Sequence, residues 1–318
     1  MIINMGKKVA VFCAEGLGDA LMMMIASCSY QKQGYEVVTY TNHLKSFGPW
    51  FSGFTFKNKP EEKNYEKELS AYDSVILQHE NSHKAKAVYE LKRQNKLKDL
   101  IVFYNNYRKQ KHYPIREGKD FAFDEKKPVV ENLSHSLKTL LQLSHYPKEI
   151  GLRIPKDLTH RKNRRRVIIH PTSSSTTKNW HLSKFVALAK KLLRKGFHPC
   201  VCITKEERPN FLFLQEYGID VPLLRDLSDL ATWLYEAAYF IGNDSGPAHL
   251  ASYLQIPSVV IAPLKQSISH WQPGWKKASL VLPPNWVPNV KGLRLREKHW
   301  AYFVTVNTVY KAFQKIKP

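Results

Sequence analysis

Residues 8–19 read KVAVFCAEGLGD, and this stretch decides the fold class. The apolar run at its start predicts a β-strand, and the glycine pair near its end predicts a tight turn. An apolar helix is predicted next, over 21–30, followed by a second strand rich in β-branched residues over 36–40. A strand, a helix and a strand joined by short connections are typical of a parallel sheet.

The same alternation continues to the end of the chain. Further strands are predicted over 74–78, 100–104, 167–170, 198–204, 239–242 and 258–262. Helices are predicted over 84–96, 133–143, 182–194, 209–217, 229–238 (with Ser228 as its N-cap) and 247–254, and a last one at the C-terminus. Residues 105–128 are predicted to be irregular. The pattern indicates an α/β protein with two domains in tandem.

A domain boundary is predicted near Pro155. The run RKNRRR at 161–166 is too densely charged for a core and indicates an exposed linker. The sequence therefore predicts a first domain over 1–155, a basic linker over 156–166 and a second domain over 167–318.

The composition excludes several classes of protein. The 318 residues are 43% hydrophobic, which is a globular rather than a disordered composition. No apolar stretch approaches the ~18–20 residues that a membrane-spanning helix needs. The four cysteines include no CxxC pair, which indicates a reducing, cytoplasmic compartment, and Cys200 and Cys202 are expected to be small core residues.

The net charge of +22 is the unusual property of this sequence. Residues 1–150 carry 23 basic and 17 acidic residues, and residues 151–318 carry 26 and 10. Such an excess favours an anionic partner, which is a nucleic acid, an anionic membrane surface or a phosphorylated substrate. No zinc-ligand spacing, RNP-like motif or aromatic-basic repeat supports a nucleic-acid-binding protein.

Three loops that follow predicted strands contain the candidate functional residues, because ligands of parallel sheets bind beyond the carboxyl ends of the strands. The first, Glu15 to Asp19, is not a dinucleotide-binding fingerprint, because Leu21 stands where the third glycine is needed. No GxxxxGK[ST] phosphate-binding motif occurs either. Asp19 is predicted to act as a general base or, alternatively, only to cap the helix that it begins.

The second and third loops suit a phosphorylated ligand. The second, HPTSSSTTKNW at 170–180, offers hydroxyl groups and one lysine, which suits a diphosphate, although its composition also fits a plain solvent loop. The third, GNDSGPAH at 242–249, places a proline in the first turn of a helix whose free N–H groups would hold a phosphate. His249 would face the same ligand, but taken alone it fits a core histidine, and Asp244 a helix cap.

Three segments resemble glycosyltransferase family 9, the ADP-heptose:lipopolysaccharide heptosyltransferases. They are GLGDALMMM at 16–24, HPTSSSTTKNWHLSKFVALAKKL at 170–192 and GNDSGPAHLASYLQIPSVVI at 242–261. The third is the most specific, and the order and spacing agree over nearly the whole chain. The resemblance implies a GT-B architecture, in which two Rossmann-like domains face a central cleft with the acceptor on the N-terminal domain and the donor nucleotide on the C-terminal one.

The resemblance also implies roles for individual residues. Asp19 matches the catalytic aspartate, and Gly16 and Gly18 are expected in a backbone loop near the acceptor. Either Glu206 or Glu207 falls where the family has a nucleotide-contacting glutamate. The other expected donor-binding residues are Thr172, Ser173, Lys178, Asp244, Ser245, Gly246 and His249.

The expected activity is that of an inverting glycosyltransferase that moves a sugar, heptose from ADP-heptose, to a lipopolysaccharide-core or Kdo–lipid A acceptor. No metal and no cofactor are expected. The protein is expected to associate peripherally with the inner face of the inner membrane, since anionic lipid attracts a basic surface. The candidate residues for the acceptor and membrane surface are Lys84, Lys86, Arg108, Lys109, Lys111, Arg116 and Lys119.

Two other kinds of enzyme remain alternatives, and the charge alone leaves a nucleic-acid-binding protein as a third. One is a GT-B nucleotide-sugar epimerase, which would need additional acid–base carboxylates such as Glu15 or Asp73. The other is a hexosyltransferase of the same architecture.

Overall fold

A computed structural model describes residues 6–263, 265–289 and 294–317. They form two compact units, which divide between Arg153 and Ile154. This division lies two residues from the predicted end of the first domain.

The N-terminal unit is a parallel sheet with helices. Its strands and helices, in chain order, are β1 (Lys8–Phe12), α1 (Leu17–Lys32), β2 (Glu36–Tyr40), β3 (Thr55–Lys57), α2 (Tyr65–Leu69), β4 (Ser74–His79), α3 (His83–Arg93), β5 (Leu100–Tyr104), β6 (Asp120–Ala122) and α4 (Val129–Leu140). The strand order is β3-β2-β1-β4-β5-β6 with every pair parallel, which is the order of a Rossmann fold.

The order of strands creates a switch point between β1 and β4. From β1 the chain builds outward through β2 to β3, and it then returns to place β4 on the other side of β1. The connections that leave β1 and β4 therefore run in opposite directions and leave a crevice at the carboxyl ends of these strands. Residues 20–30 of α1 are all buried, so this apolar helix is anchored beside that crevice.

The C-terminal unit is a second parallel α/β sheet. Its elements are β7 (Asn163–His170), α5 (Leu182–Arg194), β8 (His198–Val201), α6 (Leu227–Tyr235), β9 (Ala237–Asn243), α7 (Gly246–Tyr253), β10 (Ser258–Ile261), α8 (Lys265–Trp271), β11 (Ser279–Val281), α9 (Leu295–Lys298), α10 (Trp300–Phe303) and α11 (Val306–Lys315). The strand order is β11-β10-β9-β7-β8, so this sheet has its switch point between β7 and β9. Gly242 of β9 lies opposite His170 of β7, and a Cβ atom at Gly242 would lie 2.9 Å from the His170 carbonyl oxygen.

The predicted fold class, α/β with two parallel sheets, is confirmed. β2, β5 and α5 have the predicted bounds, and most other predicted elements differ by a few residues at their ends. The four cysteines are free and buried, as expected for Cys200 and Cys202. None of the helices in the described part of the chain is both long enough and apolar enough to cross a membrane.

The predicted linker over 156–166 differs from the structure, because β7 already begins at Asn163. Asn163 pairs with Ala237 of β9, and Arg166 pairs with His198 of β8. The guanidinium of Arg166 lies 4.3 Å from the centre of the Trp233 ring. A charge run can continue a buried strand when its side chains reach solvent or an aromatic face, which composition alone does not show.

The region predicted to be irregular, 105–128, contains the short strand β6. Arg116 binds the Asp120 carboxylate through both its guanidinium and its backbone N–H, at distances of 2.6–2.9 Å, and the Asp120 side chain is fully buried. This charged pair fixes the edge of the sheet. The three residues of β6 are too few for a periodic sequence pattern to predict the strand.

The predicted N-cap of α6 is wrong. The N-cap is Asp226, whose carboxylate accepts a hydrogen bond from the Asp229 N–H at 3.0 Å, whereas Ser228 lies inside the first turn. Both residue types cap helices well, so local sequence does not distinguish them.

Replacing Asp226 by alanine is expected to lower the free energy of unfolding by about 1 kcal/mol, because the Asp229 N–H loses its acceptor. Ser228→Ala is the matched control and is expected to change it by less than half of that amount. Urea denaturation of the three proteins checks this. Equal losses in the two variants would contradict the assignment of the cap.

Candidate functional site

Asp19 lies at the switch point of the N-terminal unit, in the first turn of α1. Its Oδ1 accepts a hydrogen bond from the side-chain Nε2 of Gln78 at 3.0 Å, and the backbone N–H of Gly16 also donates to the carboxylate. A Cβ atom at Gly16 would lie 2.6 Å from Oδ2 of Asp19. Any other residue at position 16 would therefore displace the carboxylate.

The alternative that Asp19 is the helix N-cap is corrected by the structure, because Gly16 occupies that position. Asp19 instead reaches back to the N–H of the N-cap residue, as the third residue of a capping box does. Its second hydrogen bond, to Gln78, is not needed for capping. Gly18 belongs to α1 itself rather than to the predicted loop, and only Gly16 precedes the helix.

The pKa of Asp19 is shifted from its ordinary value. Burial, followed by the negative charge of Glu80, raises its pKa to about 6, against the hydrogen bonds from Gly16 and Gln78 and the positive charge of Lys59. A carboxyl group with this pKa is largely ionised at pH 7 and is a stronger base than an ordinary aspartate. The site is therefore suited to accept a proton.

Glu15 and Asp73, the carboxylates considered for an epimerase reaction, both form ion pairs with lysines. Glu15 forms ion pairs with Lys59 at 3.2 Å and Lys84 at 2.9 Å. Asp73 accepts a hydrogen bond from the Lys8 N–H and pairs with Lys98. Since Asp73 directly precedes β4, it lies at the amino end of that strand, at the opposite edge of the sheet from Asp19.

A pocket of about 600 Å³ opens in the same unit, at the carboxyl ends of β4 and β5. His79 and Tyr104, the last residues of these strands, have ring centroids 4.9 Å apart within it. Burial, with the charges of His112 and Lys86, lowers the pKa of His79 to about 4, so His79 is neutral at pH 7. The other residues that line the pocket are His83, Lys86, Ala87, Tyr89, Glu90, Gln110, Lys111, His112 and Tyr113.

The seven basic residues predicted as an acceptor and membrane surface are not equivalent. Four of them form ion pairs: Lys84 with Glu15, Arg108 with Glu125, Arg116 with Asp120 and Lys119 with Asp99. No ion pair is found for the other three, Lys86, Lys109 and Lys111, within the described residues. Two of these three, Lys86 and Lys111, line the pocket.

Asn243 organises the switch point of the C-terminal unit. Its Oδ1 accepts from the Trp180 N–H at 3.0 Å, and its Nδ2 donates to the Pro171 carbonyl at 2.7 Å. The buried amide thus ties both ends of the hydroxyl-rich loop to the end of β9. The sequence analysis missed this role of Asn243, as it missed Gln78. The available signal was a polar amide at the end of an apolar strand.

Lys178 and Asp244 face each other across this switch point. Lys178 Nζ lies 3.6 Å from Asp244 Oδ2, and Asp244 is buried. Burial raises the pKa of Asp244, and the Lys178 ammonium opposes this shift. The pair holds the lysine at the end of β9, where its remaining hydrogen-bond donors are open to an anion.

His249 lies in α7 and is buried. Burial, with a contribution from the Lys178 charge, lowers its pKa to about 4, so the ring is neutral at pH 7. Its Nδ1 has no hydrogen-bond partner among the described residues. A buried unpaired ring nitrogen is costly, so this nitrogen favours a ligand-facing histidine over a satisfied core histidine.

The remaining predicted donor residues lie on the same edge of the sheet. Ser245 is the N-cap of α7, and Gly246 is its first residue. Ser173 is held by Asn179 and the Ser175 carbonyl, whereas Thr172 Oγ1 lies 3.4 Å from His170 Nε2. The loop is thus tied at several points by hydrogen bonds among its own residues.

The two candidate glutamates after β8 differ in their surroundings. Glu207 accepts from the Thr204 N–H at 3.1 Å, while its own N–H donates to Thr204 Oγ1 at 3.3 Å. Glu206 is exposed. Both lie beyond the carboxyl end of β8.

No group of three or more His, Cys, Asp or Glu that could hold a metal ion occurs among the residues the structure describes.

Comparison with known proteins extends the observations on the two units. The family model described as "Glycosyltransferase family 9 (heptosyltransferase)" matches residues 119–263, which include the hydroxyl-rich loop and the turn at Asp244. No curated protein sequence matches the chain at a significant level.

Solved structures share the fold over nearly the whole chain at 15% sequence identity. The E. coli ADP-heptose LPS heptosyltransferase II has a TM-score of 0.67, with 97% of this chain and 98% of that one covered. A family 9 glycosyltransferase of Veillonella parvula has a TM-score of 0.69, with coverages of 99% and 98%. The E. coli heptosyltransferase WaaC, solved with ADP, has a TM-score of 0.68, with coverages of 98% and 100%.

The family model and the shared fold support a sugar transferase. The resemblance to glycosyltransferase family 9 predicted from the three motifs is confirmed, and the chain has the α/β fold of the GT-B heptosyltransferases.

Proposed function

We propose that this protein is an inverting glycosyltransferase that moves heptose from ADP-heptose to the lipopolysaccharide core or Kdo–lipid A. The observation that carries the proposal is the Asp19 carboxylate, oriented by two hydrogen bonds and held at a pKa near 6. The match to the heptosyltransferase family model and the shared fold support the same activity.

On the acceptor side, Asp19 takes the proton of an acceptor hydroxyl while that oxygen attacks the anomeric carbon of the donor. The bond from this carbon to the diphosphate breaks, and the nucleoside diphosphate leaves with the electron pair. A positioned base contributes ~100–10,000-fold to such a step. Because the attack comes from the face opposite the leaving group, the configuration at the anomeric carbon inverts.

On the donor side, the C-terminal unit binds the nucleoside diphosphate. Lys178 and the N–H of Gly246, at the start of α7, stabilise the charge that develops on the leaving group. The neutral His249 supplies its unpaired Nδ1 to the ligand, and Thr172, Ser173 and Ser245 supply hydroxyl groups. Glu206 or Glu207 contacts the nucleoside. Because the E. coli relative was solved with ADP, we propose an adenine nucleotide.

On the same proposal, the acceptor binds the pocket at the carboxyl ends of β4 and β5, in the unit that carries Asp19. Its tyrosine and histidine rings suit the apolar face of a sugar, and its two lysines suit a phosphate or carboxylate on that sugar. The net charge of +22 fits peripheral binding to the inner face of an anionic membrane, where such acceptors are held. We propose a reaction that needs neither a metal nor a cofactor.

Lys178→Ala and His249→Ala are expected to weaken the affinity for ADP. Loss of a charged hydrogen bond costs ~1.5–3 kcal/mol, which is about 10- to 100-fold in the dissociation constant of the lysine variant. Lys195→Ala, an exposed lysine after α5, is the matched control and is expected to bind normally. Isothermal titration with ADP, UDP and GDP checks both the site and the choice of nucleotide. Normal ADP binding by both variants would contradict the donor site.

Asp19→Asn is expected to lower turnover by ~100–10,000-fold at saturating donor, since an amide cannot take the proton. The affinity for ADP is expected to stay near that of the wild type. The NH₂ group of the asparagine faces either the Gln78 amide or the Gly16 N–H, and both of these are donors. Because this contact costs stability, the melting temperature is measured alongside. Transfer to a lipid acceptor, with and without EDTA, is the assay. Near-normal transfer by the variant would remove Asp19 from the mechanism.

Turnover is expected to rise with pH through a midpoint near 6 and to stay level above it, because only the ionised Asp19 accepts a proton. The contribution of Asp19 to the free energy of unfolding changes in the opposite direction and falls as the pH rises. The folded state holds this proton to a higher pH than the unfolded chain, so Asp19 makes folding less favourable as the pH rises from 3.8 to about 6. Rate–pH profiles, and urea midpoints of wild type and Asp19→Asn across this range, check both signs.

The double variant Lys86→Ala, Lys111→Ala is expected to raise the KM for an anionic acceptor about tenfold or more while kcat for bound acceptor changes little. Lys109→Ala, whose side chain does not line the pocket, is the matched control. An unchanged KM in the double variant would place the acceptor elsewhere.

A further inference from the structure

We propose that Gln78 is a positioning residue of the transfer reaction, which orients the Asp19 carboxylate and keeps it ready to receive a proton. The proposal rests on the proposed role of Asp19 as the base. It adds a residue that no sequence motif pointed to.

The orientation of the Gln78 amide is fixed by its surroundings. Gln78 lies in β4 beside the end of β1, is 1% exposed, and its Oε1 accepts the Ala14 N–H at 2.9 Å. Because a backbone N–H can only donate, the amide oxygen must face Ala14. The NH₂ group must then face Asp19, which lies 3.0 Å away.

This arrangement makes Gln78 an obligate donor to Asp19. A donor on Oδ1 favours the ionised carboxylate and fixes the direction in which the carboxylate group points. The other groups that face the carboxylate come from the ends of neighbouring strands. They are the Cys13 thiol after β1, Lys59 after β3 and Glu80 after β4. Gln78 thus opposes burial and Glu80, which both favour the protonated form.

The competing explanation is that Gln78 serves only to satisfy the buried N–H of Ala14. The two explanations differ for Gln78→Glu, which is nearly isosteric. A glutamate still accepts from the Ala14 N–H, so the hydrogen bond that satisfies this buried backbone group is kept. Toward Asp19, however, it replaces a donor by a second carboxylate, and two adjacent carboxylates share a proton because they cannot both ionise easily.

The experiment compares rate–pH profiles of wild type, Gln78→Glu and the control Gln33→Glu, an exposed glutamine of the same unit. We expect the midpoint of Gln78→Glu to move up by at least one pH unit, and the plateau rate above that midpoint to stay below that of the wild type, because the carboxylate of Asp19 no longer receives the orienting hydrogen bond. A carbon-13 NMR titration of the carboxyl groups is expected to show the same shift. The shifted midpoint distinguishes a changed environment of Asp19 from lost folding, and melting temperatures accompany each profile.

A wild-type midpoint in Gln78→Glu, with normal melting, would overturn the proposal and leave Gln78 a structural residue. A plateau rate equal to that of the wild type above the shifted midpoint would also overturn it, since the reaction would then not need the hydrogen bond from Gln78. Full activity of Asp19→Asn would instead overturn the proposed function. The two failures are therefore distinguishable.

Discussion

A buried side-chain amide stabilises the switch point of each sheet, and both candidate sites depend on it. Where neighbouring strands lead into connections that diverge, the backbone groups at their ends lose the partners that a sheet ladder supplies, and they must be satisfied in another way. Gln78 supplies the acceptor for Ala14 in the N-terminal unit. Asn243 supplies an acceptor for Trp180 and a donor for Pro171 in the C-terminal unit. Each amide therefore fixes the loop that carries the candidate chemistry.

Burial at these points sets the charge states that the proposed reaction uses. It raises the pKa of Asp19 and lowers that of His249, because in each case it disfavours the charged form. The result is a carboxylate of increased basicity in one unit and a neutral imidazole beside Lys178 in the other. Burial thus shifts the two pKa values in opposite directions, and the neighbouring groups determine the size of each shift.

The large positive charge is not one uniform surface. Several of the basic residues chosen from the sequence are already neutralised locally, and Arg116 is a structural residue that holds the buried Asp120 at the sheet edge. Lys86 and Lys111, which have no ion pair among the residues that the structure describes, share a pocket with aromatic rings. Net charge therefore indicates the sign of a partner, whereas the pairing of individual side chains indicates where it binds.

The sequence by itself determined the α/β class, the order of most strands and helices, and the three loops at strand ends, because hydrophobic periodicity and turn residues are local properties. Its motifs also singled out Asp19, Lys178 and His249 as candidate site residues, whose roles remain predictions. Only the tertiary structure decided that Arg166 continues a strand, that Asp226 rather than Ser228 caps α6, and that Gln78 holds Asp19. Gln78 and Asp19 are 59 positions apart, and the partner of a buried polar group depends on which strands become neighbours. That information lies in the strand order and not in any local pattern.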